Sequence, residues 1–167
     1  MEKINVYYII LICLLLLSCK DSGGMPDETV GPQLAEKAIS TAKLKKSLES
    51  QGFKTFDYID EKTKDTILMQ QYFIAFLKSG PNRSQSKAET DSLQALHLAH
   101  LGRMYEEGYA DISGPFGDDG DIRGITIYNV PTQEMADSLA NMDPMVKSGR
   151  LAIEIHPWWA AKGFKLR

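Results

Sequence analysis

The chain has 167 residues, which is enough for one ordinary domain and too few for two. Lysine and arginine total 19 against 22 aspartate and glutamate residues, so the formal net charge is -3. Because a nucleic-acid-binding protein normally has a clustered basic excess, this balance excludes that class of partner. Both cysteines, Cys13 and Cys19, lie near the N-terminus, so the rest of the chain offers no disulfide, thiolate metal site or thiol nucleophile.

The N-terminal segment has the features of a bacterial lipoprotein signal. Its uninterrupted apolar run, residues 6–17, is shorter than the roughly 20 residues that span a bilayer. Leu16-Leu17-Ser18-Cys19 resembles the bacterial lipobox, which implies cleavage before Cys19 and acylation of its thiol. We therefore predict a signal peptide over 1–18, a flexible tether over 19–32, and a membrane-anchored lipoprotein of the cell envelope, periplasmic or surface-facing. A plain secretory signal or a short membrane anchor is the alternative.

The next segment, residues 33–65, predicts a helix followed by one strand. Apolar residues spaced among lysines and glutamates over 34–50 indicate a helix with a solvated basic face. Residues 53–59 alternate as a strand does, and a polar turn joins them to a second strand over 66–77. We expect these two strands to form a hairpin.

The remainder, residues 66–167, predicts one α+β domain. Ser86 and Glu89 have the capping-box spacing at the start of an amphipathic helix. Two strands, a helix and a last strand follow, over 109–116, 123–130, 133–140 and 151–156. The resulting order of strand, helix, strand, strand, helix, strand is that of the ferredoxin-like split βαβ fold, with both helices on one face of an antiparallel sheet.

The face of the sheet without helices needs a cover, because it would otherwise expose isoleucine and phenylalanine side chains to water. A second copy of the same sheet is the simplest cover. We therefore predict a homodimer, with apolar residues of 123–130 and 151–156 near the seam.

Candidate chemical groups are few. His97 and His100 belong to the apolar stripe of the capped helix, which also includes Leu93, Leu96, Leu101 and Met104, and His156 lies on the last strand. These histidines form a weak metal candidate, since a histidine paired with a neighbouring acceptor is the commoner arrangement, and we predict no metal. Asp143 before Pro144 is typical of a helix start, with aspartate at the N-cap and proline at the first helical position.

Several motifs in order resemble the YCII-related (YciI-like) family. They are Gln71-Tyr72-Phe73, Phe76-Leu77, His97-Leu98-Ala99-His100-Leu101, Gly108, Gly114-Pro115, Gly124, Asp143-Pro144 and Gly149. The resemblance runs from about residue 70 to 156 and implies a fold of the dimeric α+β barrel type, in agreement with the topology above. It also implies a His-Asp dyad in a cleft, with His97 and Asp143 at the matching positions, whereas His100 has no assured role in the pattern.

The leading hypothesis is a lipid-anchored enzyme that performs general acid/base chemistry on a small organic metabolite, for which the resemblance suggests a cyclic compound. His97 would be the acid/base because its ordinary pKa lies near neutrality, and Asp143 would orient its ring. No cofactor is implied, since the sequence has no Walker loop, G-x-G-x-x-G motif or thiolate cluster. The alternative is a non-catalytic ligand-binding or interaction lipoprotein, which a sealed His97 would favour.

Overall fold

The structure, a computed structural model, describes residues 32–167. The predicted signal peptide, the Cys19 lipidation site and almost all of the tether lie outside the described residues. The helices are α1 (Pro32–Ser50), α2 (Lys87–Glu106), α3 (Gln133–Ala140) and α4 (Pro144–Lys147). The strands are β1 (Thr55–Ile59), β2 (Thr66–Ser79), β3 (Ala110–Pro115), β4 (Ile122–Tyr128) and β5 (Leu151–Ala161). None of the helices over 32–167 is long and apolar enough to cross a membrane.

The five strands form one antiparallel sheet around β2. One edge of β2 pairs with β5 from Met69 to Ser79, and its other edge is divided between β1, over 66–70, and β4, over 73–78. Because β3 pairs with β4, the main strands have the order β5-β2-β4-β3. This is the ferredoxin-like arrangement, so the predicted α+β fold and its additional N-terminal hairpin are confirmed.

The ends of two strands differ from the prediction. β5 continues to Ala161 rather than stopping at His156, because it is an edge strand, and an edge position tolerates Pro157, which has no backbone N–H. β1 begins at Thr55 rather than at Phe53. The chain leaves α1 through Gly52 at a φ of 87°, and the Phe53 N–H still bonds the Leu48 carbonyl, which delays the start of the strand.

The face of the sheet under α2, α3 and α4, here called the covered face, holds the core. One buried cluster contains Phe73, Ala75, Met104, Ala110, Tyr128, Val130, Ala136 and Ala140, and a smaller one contains Leu77, Met145 and Leu151. On α2 the buried residues are His97, His100 and Met104. Leu96 is 51% exposed, so its predicted place in the apolar stripe is wrong, because it lies about 100° around the helix from His97.

The opposite face is only partly covered. α1 packs there against β1 and the first half of β2, through the buried Leu48 and the contacts of Lys45 with Asp57 and of Glu49 with Thr55. The rest of this face, here called the open face, presents apolar side chains that are half-buried or exposed, namely Ile74, Phe76, Ile112, Ile125, Ile127 and Trp158.

Candidate functional site

The His97 and Asp143 side chains meet on the covered face. His97 Nδ1 lies 2.5 Å from Asp143 Oδ2, and the two side chains are 10% and 3% exposed. α2, which carries His97, begins with a complete capping box, in which Ser86 accepts from the Glu89 N–H and Glu89 accepts from the Ser86 N–H. The fold thus brings into contact the two residues that the sequence predicted as a pair, which lie 46 positions apart along the chain.

Asp143 has two structural tasks at once. It is the N-cap of α4, and its Oδ1 accepts a hydrogen bond of 2.8 Å from the Met145 N–H, while Oδ2 faces His97. An ionised carboxylate accepts but does not donate, so its contact with His97 requires the proton on Nδ1. In the neutral imidazole this leaves Nε2 as the acceptor, which is the tautomer that a general base needs.

A cavity of about 380 Å³ opens beside His97. Its apolar wall includes Leu77, Leu98, Leu101, Pro115, Met145 and Leu151, and its polar side chains are Arg83, Gln94, His97, Ser113, Arg123 and Arg150. Asp143 lies behind His97 and does not line the cavity. Because Nδ1 is engaged by Asp143, a ligand in the cavity would meet the Nε2 side of the ring.

His100 has a different environment one turn along α2. Arg103 Nη2 donates to its Nδ1 over 3.1 Å, so the proton is on Nε2, which is buried and has no partner among the described residues. Burial lowers the pKa of His100 below its ordinary value of 6.5, which keeps the ring neutral. His100 does not line the cavity.

His156 lies on the open face, where its Nε2 is 2.7 Å from Glu154 Oε1 and its ring packs on Phe76. The three histidines are therefore not assembled around one point. The described part of the chain contains no group of three metal-ligating side chains.

The arginines of the cavity were not found by sequence reasoning. Arg83, Arg123 and Arg150 come from three separate loops or strands, and no local motif relates them. The sequence offered one indirect indication of Arg150. This residue follows Gly149 at the end of the connector that carries Asp143, so Arg150 is expected near the same end of the sheet as Asp143.

Comparison with known proteins identifies the region that holds this site. The YCII-related domain matches residues 72–159, just over half of the chain. Among solved structures, the chain is similar to 5-chloro-2-hydroxyhydroquinone dehydrochlorinase from Burkholderia phenoliruptrix AC1100, in complex with 2,5-dihydroxybenzoquinone. The identity is 24%, the TM-score is 0.40, and the match covers 52% of this chain and 92% of that chain. No curated protein sequence matches.

Proposed function

We propose, on the premise that this chain belongs to the YCII-related domain family, that its domain catalyses proton transfer on a small organic molecule. One observation carries the proposal: a buried carboxylate holds Nδ1 of a histidine whose ring lines a cavity. A histidine held in this way is oriented for general acid/base work by the same logic as the histidine of a catalytic triad.

In the proposed reaction His97 Nε2 removes a proton from the substrate and later returns it. Asp143 keeps the acceptor lone pair directed at the cavity and stabilises the imidazolium that forms. Since the Asp143 side chain is 3% exposed, water does not compete for this carboxylate, and its electrostatic effect on the ring is stronger than it would be in solvent. Asp143 is therefore a positioning residue, and His97 is the catalytic residue.

The cavity supports a small substrate. Its volume of about 380 Å³ is near the lower end of the roughly 300–1,000 Å³ usual for ligand pockets. The apolar wall formed by residues such as Leu98, Leu101 and Met145 suits a hydrocarbon or cyclic body, and a larger ligand such as a dinucleotide would not fit.

The same proposal includes a membrane anchor and a second subunit. The anchor is the lipidated Cys19, which the Leu16-Leu17-Ser18-Cys19 motif supports. Cys19→Ser should leave an uncleaved precursor or release the protein into the soluble fraction, and an intact mass with an unmodified Cys19 thiol would contradict the anchor. The second subunit is another copy of this chain, paired through the open face, which the partly exposed Ile112 and Trp158 support.

The experiment is an exchange screen that does not require a known substrate. Small cyclic and acyclic organic acids, ketones and phenols are incubated with the protein in heavy water, and deuterium incorporation is read by mass spectrometry. A compound that exchanges should do so about 10²–10⁴-fold more slowly with His97→Ala. His156→Ala is the control, since His156 lies on the opposite face of the sheet. Equal exchange by wild type and His97→Ala would reject the proposal, and a compound that binds His97 without exchange or turnover would favour a binding protein.

A further inference from the structure

The cavity beside His97 has a positive charge that the chain as a whole lacks. Three arginines line it, and no carboxylate is present among the described residues of its wall. The chain itself has a formal net charge of -3, so this concentration of guanidinium groups runs against the average composition. Like charges gathered around one concavity raise each other's energy unless an anion binds between them.

Within the part of the chain that the structure describes, the hydrogen bonds of these arginines leave most of their donors unused. Arg83 Nη1 donates to the Arg150 carbonyl over 3.2 Å, Arg150 Nη1 donates to Gln85 Oε1 over 3.3 Å, and Arg123 Nη1 donates to the Gly120 carbonyl over 3.1 Å. All three acceptors are uncharged. Within residues 32–167, Arg123 is the one arginine of the three with a carboxylate nearby, Asp119 at 3.9 Å, and that side chain is fully solvent-exposed. A guanidinium has five N–H donors in a fixed fork, which suits a carboxylate.

Arg83 and Arg150 are held together by their backbone. The Gly80 N–H bonds the Arg150 carbonyl and the Asn82 N–H bonds the Gly149 carbonyl, each over 2.9 Å. A Cβ at Gly80 would lie 2.2 Å from the Gly149 oxygen, so this close approach of two loops requires glycine. The backbones of the two arginines are therefore fixed relative to each other before any ligand arrives, which lowers the entropy cost of binding.

Arg123 reaches the cavity because of a bulge in β4. Leu77 and Lys78 of β2 pair with Gly124 and Ile122, so Arg123 is the additional residue with no partner on β2. Such a bulge interrupts the strict alternation of side chains and redirects one of them. The bulge thus adds a third guanidinium to a wall that otherwise consists mostly of apolar groups.

From these features we infer that the ligand of this cavity is a small organic acid, bound as its anion. Its carboxylate or equivalent anionic group lies among Arg83, Arg123 and Arg150, and its apolar body lies on the apolar wall next to His97. The inference deepens the proposed function, on which its catalytic meaning rests. In a proton abstraction, the same guanidinium groups would stabilise the negative charge that develops on the substrate.

The test uses benzoate and benzamide, which have nearly the same size and differ in charge. Binding to the full chain is followed through the ring signals of isotope-labelled histidine, where only three residues contribute and His97 reports on the cavity. Benzoate should shift the His97 signals and bind at least about tenfold more tightly than benzamide. Arg83→Gln and Arg150→Gln should each weaken benzoate by about tenfold or more and leave benzamide unchanged.

Arg167→Gln is the matched control, because it removes the same charge from an exposed C-terminal position outside the cavity, and it should bind benzoate as wild type does. Arg83→Lys and Arg150→Lys, which keep the charge, should retain part of the affinity even if a glutamine variant folds poorly. Equal affinity for the two probes, including no measurable binding of either, would overturn the inference, as would an equal loss in Arg167→Gln.

The same titration with Asp143→Asn separates this inference from the proposed function. Benzoate should still bind that variant, because Asp143 does not line the cavity. If the protein selects benzoate but exchanges no proton in any compound, the anion site is supported and the acid/base function is rejected. If it exchanges protons in neutral compounds without preferring anions, the acid/base function is supported and the anion site is rejected.

Discussion

The covered and open faces of the sheet each carry a histidine–carboxylate pair, and the two pairs differ in solvent exposure. On the covered face His97 and Asp143 are 10% and 3% exposed, and each has its position set by a helix. On the open face the corresponding pair, His156 with Glu154, is 55% and 51% exposed and lies on a single strand. The distance between partners is similar, at 2.5 and 2.7 Å, so geometry alone does not distinguish the two pairs.

What distinguishes them is the consequence of losing a partner. In solvent, water replaces a lost carboxylate, so an exposed pair contributes little. In a buried site the remaining group stays unpaired and costs about 1–3 kcal/mol. On the covered face, a buried carboxylate can therefore fix the tautomer of the histidine ring. The open face is suited to association through its apolar side chains.

The largest expected effect concerns Asp143→Asn. Asparagine can cap α4 with its carbonyl oxygen, but its amide nitrogen must then face His97 and donate to Nδ1. This reverses the tautomer, puts the proton on Nε2 and removes the base. Turnover of any substrate found in the exchange screen should fall by about 10²–10⁴-fold with the folded structure intact.

Glu154→Gln is the control on the other face, and it should leave turnover unchanged because His156 is exposed. Imidazole ¹⁵N shifts provide a second measurement, since they report which nitrogen of His97 carries the proton. Full activity in Asp143→Asn would reduce this residue to a helix cap and leave His97 without its positioning partner.

The next effect tests the open face as a subunit interface. Ile127→Asp places a charge in the middle of the apolar patch that faces away from the helices, next to Ile74 on the neighbouring strand. Burying that charge between two sheets would cost several kcal/mol, on the order of the cost of desolvating a polar group without a partner, so the dimer should dissociate. Light scattering on residues 32–167 should give twice the monomer mass for wild type and the monomer mass for the variant.

Leu96→Asp is its control, because Leu96 is 51% exposed on the solvent side of α2 and the dimer should persist. A wild-type protein that is monomeric at micromolar concentration would leave the open face without the partner proposed for it.

An effect of intermediate size is expected on folding stability when the covered-face pair is broken. Asp143→Ala loses both the α4 cap, about 1 kcal/mol, and the acceptor of a buried His97 N–H, about 1–3 kcal/mol. Thr132→Ala is matched to it, since Thr132 caps α3 through the Met135 N–H and has no histidine partner. Chemical denaturation should show a loss for Asp143→Ala that exceeds the Thr132→Ala loss by the histidine contribution. Equal losses would mean that Asp143 acts as a cap only.

These contrasts also show which parts of the molecule were readable from sequence. The capping box at Ser86 and Glu89 and the N-cap at Asp143 are local patterns, and both are formed as predicted. The order of elements was sufficient for the ferredoxin-like fold, because few topologies accommodate two helices on one face.

The composition of the cavity was not readable, because it depends on contacts between distant segments. Arg83 and Arg150 are joined by the docking of one loop on another, and Arg123 depends on a bulge in β4. Neither feature has a sequence pattern within a single element. The extension of β5 through Pro157 was missed for a related reason, since only the finished sheet shows that β5 is an edge strand.

The smallest expected effect is the dependence of stability on pH that comes from His100. Burial is the main cause that lowers its pKa in the folded state, partly opposed by Asp143 and assisted by Arg103, His97 and Lys147. As the pH falls through the ordinary value of 6.5, the unfolded chain binds a proton that the folded chain does not, so stability is lost from there down to the folded pKa and is fully present above 6.5.

The slope for one such proton is at most about 1.4 kcal/mol per pH unit. In denaturation between neutral and mildly acidic pH, His100→Gln should therefore lose less stability on acidification than wild type does. If His100→Gln and wild type lose stability in parallel, His100 is protonated as easily in the folded chain as in the unfolded one. The contrast between the two faces would then hold for His97 and Asp143 but not for the second histidine of α2.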